Sequence, residues 1–329
     1  MAEQPDARPL VGLSDAGPDV AAHRIEGEEA IRAQLAAGCP IWIDVEDPSD
    51  AEIEQIQRIF PFHPLAVEDI QHAIQRPKLE EYDRHLFVVA FGFLAEEGTR
   101  FATLEVDAFL GEGYLVTFHE GPVPAIRDVT DRCCRGLLAF EKGADRVLHA
   151  ILDGLIDSAF PILDALDQRT EQIEHRILKS NDADLLGEIF STRKDLLVFR
   201  RMLMPHREVL GHLSSREYPW VTPSVRMYFR DVYDHVMRVT ESADNFRELL
   251  DTGVETYLSQ AAERTNQVMK LLAIIATLGL PLTVLTSFYG MNFEHLPGLH
   301  HPSGVLVLTG VMLTIEAALL FVFRRKGWL

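Results

Sequence analysis

Glu294, His295, His300 and His301 lie close together in a stretch that holds no Lys or Arg. Imidazole nitrogens and a carboxylate are donors for a transition metal. Their spacing matches no closed tetrahedral zinc motif, however, and exposed loop histidines are commonly solvated, so both readings stand. Glu294 has a simpler use: an unneutralised carboxylate concentrates divalent cations around itself. A second group of acids, Asp153, Asp157, Asp164, Asp167, Glu171 and Glu174, reads either as carboxylate chemistry or as the solvated face of a helix. No nucleophile–base pair accompanies them, and no G-x-x-x-x-G-K, H-E-x-x-H or G-x-S-x-G pattern occurs, so the chain is not expected to be an enzyme. Cys39, Cys133 and Cys134 are odd in number and lack C-x-x-C spacing, which argues against a disulfide framework and a structural zinc site.

The elements that must carry these residues are partly membranous. From Leu271 to Phe323 there is no Lys or Arg, and the acids are Glu294 and Glu316 alone. Within that stretch, about 271–291 and 303–323 each reach the roughly 20 apolar residues needed to cross a bilayer. Two transmembrane helices are expected, with Pro281 tolerated inside the first. Arg264 and Lys270 precede the first span, and Arg324, Arg325 and Lys326 follow the second in a basic tail, 324–329. The positive-inside rule then puts both termini in the cytoplasm. The polar start, MAEQPDARPL, has no apolar core of a signal peptide. Glu316 is an ionisable group inside a span, expected to turn toward the first span and hydrogen-bond there.

The 329 residues carry 31 Lys+Arg against 50 Asp+Glu, a formal charge of −19, and 47% are hydrophobic. That composition supports a folded core, favours cations and argues against nucleic acid as a partner. Residues 1–20 read as a loose tail and 21–142 as an α/β domain. Its signals are a strand at Ile41–Val45, a helix from Asp50 to Phe60, a buried strand from His85 to Leu94, and a hairpin. In the hairpin, Thr103–Leu110 and Tyr114–Phe118 flank Gly111-Glu112-Gly113, whose glycines suit a tight turn. Residues 143–270 read as a helical stalk, with Pro161 and Pro205 as interruptions, and 271–329 as the membrane domain. No proline occurs between Pro223 and Pro281, and apolar residues recur there at helical spacing. A helix running from about Ser224 through the first span would be roughly 100 Å long; the alternative is two helices broken near Gly253.

The sequence Tyr289-Gly290-Met291-Asn292, at the end of the first of two C-terminal spans, resembles the signature of the CorA family of divalent-cation channels. So do the runs from Thr265 to Lys270, Pro281 to Thr283, Arg230 to His235, His63 to Leu65, Glu68 to Ile70 and Gln75 to Lys78, and the basic tail. The resemblance implies an α+β membrane protein: a homopentamer with an N-terminal α/β cytoplasmic domain, a funnel of long helices and a central pore lined by the first span. It implies residence in the cell inner membrane. A GMN triplet favours Mg2+, with Co2+ and Ni2+ as passengers, over Zn2+ transport. Gly290, Met291 and Asn292 would be the selectivity filter, five Asn292 amides gripping the water shell that Mg2+ sheds reluctantly. Asn292 is equally suited to cap the helix. Asn266, Met269, Ala273, Ala276, Leu280 and Thr283 share one helical face and would line the pore. Met269, Leu272 and Leu280 would close it as an apolar collar, many relatives having Met where this chain has Leu280. Helix packing alone also produces such stripes. Family position makes Asp69, with Glu68 beside it, and Asp231 the candidate regulatory Mg2+ ligands, and Asp153 on the acidic helix is a further candidate. The bland alternatives are that Asp69 caps a helix and that Asp231 pairs with Arg230 or Arg226. A membrane-tethered cation sensor without a pore is the competing function. Uptake would need no fuel, because a divalent cation entering a negative cell gains about 4.6 kcal/mol per 100 mV.

Overall fold

The computed structural model describes residues 11–14, 22–72, 76–96, 99–138, 143–179, 184–291 and 302–328. The strands are β1 (Val11–Ser14), β2 (His23–Glu26), β3 (Ile41–Glu46), β4 (Lys78–Tyr82), β5 (His85–Ala95), β6 (Phe101–Gly111) and β7 (Tyr114–His119). The helices are α1 (Glu28–Ala36), α2 (Asp50–Ile59), α3 (Pro64–Gln71), α4 (Pro124–Cys134), α5 (Asp145–Asp157), α6 (Phe160–Lys179), α7 (Leu185–Ser215), α8 (Pro223–Tyr289) and α9 (Gly304–Arg325). They fall into two compact units, residues 1–253 and 254–329.

In the first unit a seven-stranded sheet runs in the order β2-β1-β3-β7-β6-β5-β4. Neighbours are antiparallel except β3 and β7, which are parallel from Ile41 opposite Tyr114 to Glu46 opposite His119. One face is covered by α2 and α3, whose Ile53, Ile56, Ala66 and Val67 pack with Phe87, Phe109 and Phe118. Helices α5, α6 and α7 pack against β5. Covered on both faces, β5 reads as an unbroken apolar run rather than an alternating one. The expected border at 142/143 therefore falls inside this unit.

Local signals explain the starts and turns. Ser49 and Glu52 form a reciprocal capping box at the head of α2, the Glu52 N–H donating to Ser49 Oγ and the Ser49 N–H to Glu52 Oε2. At the β6–β7 hairpin only Gly113 takes a positive φ, 73°. Gly111 instead ends β6, where a Cβ would collide with the Tyr114 ring, so the two glycines serve different needs. Pro205 lies inside α7 without ending it, and α8 passes unbroken through Gly253.

On the opposite face of β3 and β7 lies a polar chain. Trp42 Nε1–H donates to Thr117 Oγ1 (3.0 Å), and the Thr117 hydroxyl to Asp44 Oδ1 (2.5 Å). His119 donates from Nε2 to Asp44 Oδ2 (3.3 Å) and from Nδ1 to the Gly121 carbonyl (2.6 Å). Both nitrogens donate only in the imidazolium. Burial pulls its pKa down, but Asp44 and the carbonyl outweigh this and hold it above the ordinary 6.5. A raised folded-state value stabilises below the unfolded pKa and is lost as pH rises through the folded one. The unfolding midpoint should thus exceed that of Asp44→Asn more at pH 6 than at pH 9; equal differences would refute the linkage.

Candidate metal centre and pore face

Helix α5 presents Asp153 and Asp157 one turn apart, α8 presents Asp231 and His235 one turn apart, and the fold sets these two faces together. His235 Nδ1 lies 3.4 Å from Asp157 Oδ1 and 3.9 Å from Asp153 Oδ1, while its Nε2 lies 3.9 Å from Asp231 Oδ2. Donor atoms of Asp153, Asp157 and His235 all fall within 4.8 Å of one another. His235 Nδ1 is enclosed and makes no hydrogen bond, and the Phe160 ring walls one side of the imidazole. Burial, then the Asp157 charge, pushes the Asp153 carboxyl up, and His235 only partly opposes this. A cation relieves both strains: it neutralises the two carboxylates and gives the enclosed nitrogen a partner. Two oxygens with one imidazole nitrogen suit Co2+, Ni2+ or Zn2+ at least as well as Mg2+, which prefers oxygen alone.

Asp231 and Asp153 thus stand in one cluster, with Asp231 at its edge, its side chain 75% exposed. Arg226 pairs with Glu217 (3.3 Å), and Asp231 faces His235, four residues on, at 3.9 Å. Asp69 belongs to a different cluster. Lying in the last turn of α3, a helix capped by His63, it accepts from Lys78 Nζ at 2.5 Å. Lys78 also donates to Glu80 (2.8 Å), and the Tyr82 hydroxyl donates to Glu80 (2.7 Å). Burial lowers the Lys78 pKa, but the bonds to Asp69 and Glu80 outweigh it and raise it overall. Glu68 lines the same surface as Asp69, Glu80 and Glu81. Within one chain Asp69 is already paired with Lys78, and among the described residues its ion pair is separate from that of Asp231 with His235. Sequence reasoning gave His235 no role; its signal was the i, i+4 spacing from Asp231.

In the second unit, Asn266, Met269, Leu272, Ala273, Ala276, Leu280 and Thr283 are all exposed on α8, Leu280 by 67%, whereas Ile274 is buried. The Thr283 hydroxyl donates to the Gly279 carbonyl (2.8 Å), which leaves its lone pairs able to accept. At the basic end of the stripe, Lys270 donates to the Gly327 carbonyl (3.0 Å), and Asn266, Met269 and Ala273 border a shallow pocket with Lys326 and Trp328. The helix closes with Gly290 N–H donating to Thr286 O and Met291 N–H to Phe288 O. Asn292, Glu294, His295, His300 and His301 lie outside the described residues. The Glu316 Oε1 is enclosed, but no hydrogen bond to the first span or elsewhere is found for that atom among the described residues.

Two C-terminal helices long and apolar enough to cross a bilayer, and a cluster of cation-ligand side chains in the α/β unit, are features that a membrane protein handling metal ions would carry. The family model of the CorA-like Mg2+ transporter protein matches residues 39–325. The cobalt/magnesium transport protein CorA of Thermotoga maritima is 32% identical over 298 residues, covering 88% of this chain and 84% of that protein. The zinc transport protein ZntB of Yersinia pseudotuberculosis is 23% identical over 327 residues, covering 96% and 97%. The complete structure of the CorA magnesium transporter from Methanocaldococcus jannaschii is similar at a TM-score of 0.78 with 25% identity, covering 98% of this chain and 99% of that one. The chain belongs to the CorA family of divalent-cation transporters, which are not enzymes.

Proposed function

We propose that this chain is one subunit of a homopentameric Mg2+ channel of the cell inner membrane, with both termini cytoplasmic, that passes hydrated ions down the membrane potential and closes when cytoplasmic Mg2+ is high. The observation that carries the reading is the row from Asn266 to Thr283, exposed along its whole length on the helix that leads into Gly290-Met291-Asn292. Five such rows around an axis would give an apolar collar at Met269, Leu272 and Leu280, with oxygens at Asn266 and Thr283 for the ion's water shell. Asn292 amides with the Gly290 and Met291 carbonyls would form the filter, and Glu294 would gather cations at the mouth. Inside the cell, Asp69 with Glu68 on one subunit and Asp231 on the next, together with Asp153, would hold Mg2+ that favours the closed assembly.

His235 supports a second reading, transport or regulation by Co2+, Ni2+ or Zn2+, because its imidazole adds a nitrogen donor beside Asp153 and Asp157. Ion flux into liposomes held negative inside separates the two. Mg2+ uptake that grows with the imposed potential supports the channel, whereas Zn2+ uptake without Mg2+ uptake would replace it with the second reading. No flux of any of the four ions would favour the tethered sensor.

A further inference from the structure

The parallel pair β3 and β7 creates a crevice that the transport reading does not use. After β3 the chain passes to α2 and α3 on one face of the sheet, while after β7 it passes through α4 to α5, which packs against Gly92 on the other. Connections leaving two adjacent parallel strands for opposite faces open a gap at their carboxyl ends, a recurrent ligand position in open sheets. Here that gap is a crevice of about 540 Å³ bordered by Asp47, Asp50, Glu105, Asp107, His119 and Glu120.

Asp107 distinguishes this place from an ordinary acidic surface. It is only 7% exposed, and its Oδ1 is enclosed without a hydrogen-bond partner. It stands in the cross-strand row Lys78, Val89, Asp107, where Val89 belongs to the apolar core. Burial, then Glu105 and Asp69, with Lys78 opposing, keeps its carboxyl well above the usual carboxylate range. The imidazole of His119 is turned to Asp44 and the Gly121 carbonyl, so its two N–H groups are already used. Asp47 accepts from the Gly121 N–H and Asp50 from Gln71, which fixes the rim.

We infer that this crevice binds a multiply charged cation that keeps a hydrogen-bond-donating shell, either hydrated Mg2+ or the ammonium groups of a linear polyamine. Among the described residues only Asp153, Asp157 and His235 bring three donor atoms within 4.8 Å. The crevice carboxylates are therefore too dispersed to strip an ion, but dispersed acceptors match a large cation that donates N–H or O–H bonds in several directions. Asp107, giving up its proton to solvent as the cation enters, would supply the buried, charge-assisted contact, with Asp50 and Glu120 drawing the cation to the rim.

The test is calorimetric titration of the detergent-solubilised full-length protein with hexaamminecobalt(III), a cation that cannot shed its ligands. The parent should show a binding class that Asp107→Asn weakens by about tenfold or more, the loss expected of one charge-assisted hydrogen bond. Asp153→Asn should leave that class intact. The rim double variant, Asp50→Asn with Glu120→Gln, should also weaken it and keeps the question answerable if the core substitution impairs folding. Competition by Mg2+ against competition by spermidine then names the source of the cation. Equal hexaamminecobalt(III) binding by the parent and both variants would overturn the site, whatever the flux assay shows.

Discussion

Asn292→Ala should remove Mg2+-selective flux while the oligomer still assembles. Mg2+ holds its six waters tightly, so a filter that selects it must accept hydrogen bonds from those waters rather than replace them. An amide oxygen does this without the strong trapping a carboxylate would impose, and alanine offers no acceptor. In the proposed pentamer the substitution would remove five acceptors at once from the ring. With each hydrogen bond to a charged partner worth about 1.5–3 kcal/mol, a fall in Mg2+ flux of tenfold or more is expected even if only one contact is rate-determining. Assembly should survive, because the apolar surface of α8 and α9 does not include this residue. Liposome flux with Mg2+, together with the oligomer's mass, provides the check. Normal Mg2+ flux in the variant would remove the filter assignment and favour the sensor.

The second large effect concerns closing. Asp69→Asn with Asp231→Asn should leave permeation intact but move closure to higher cytoplasmic Mg2+. Within one chain these residues stand in separate clusters, Asp69 on Lys78 and Asp231 beside His235. A bridging ion would have to join different subunits, and carboxylates brought together there repel until a cation lies between them. Each ion shifts the equilibrium only by its preference for the closed state, and the five interfaces of the proposed pentamer would add those preferences. A loss of only about 0.5 kcal/mol per interface therefore changes the closed-to-open ratio by nearly two orders of magnitude. Flux measured against internal Mg2+ reads the shift directly. If the double variant closes over the same range as the parent, the sensor lies elsewhere, and Asp153 and Asp157 on α5, with His235, become the next residues to replace.

Several features were legible along the chain because they are sums of local properties. The absence of Lys and Arg from Leu271 to Phe323 places α9 and the apolar C-terminal end of α8, since a charge in hydrocarbon is penalised wherever it falls. The proline-free periodic run after Pro223 reads as one helix, and α8 is one element. Strand β5 shows as an apolar run because both its faces are covered. The turn at Gly113 shows as a glycine, although the separate reason for Gly111, room for the Tyr114 ring, does not.

The pairings that carry chemistry were decided elsewhere. His235 looked like one more polar residue of a long helix until α5 came alongside with Asp153 and Asp157. Asp69 looked like an available ligand until β4 placed Lys78 against it. Asp107 carries no signal within its strand; only the packing of α2 and α3 over that face of the sheet encloses it beside the β3–β7 crevice. Periodicity and charge fix what each element is, because the solvent acts on every residue of a segment independently. Which side chains converge depends on strand order and on which helix covers which face, and these are settled only when distant segments compete to bury the same apolar surface.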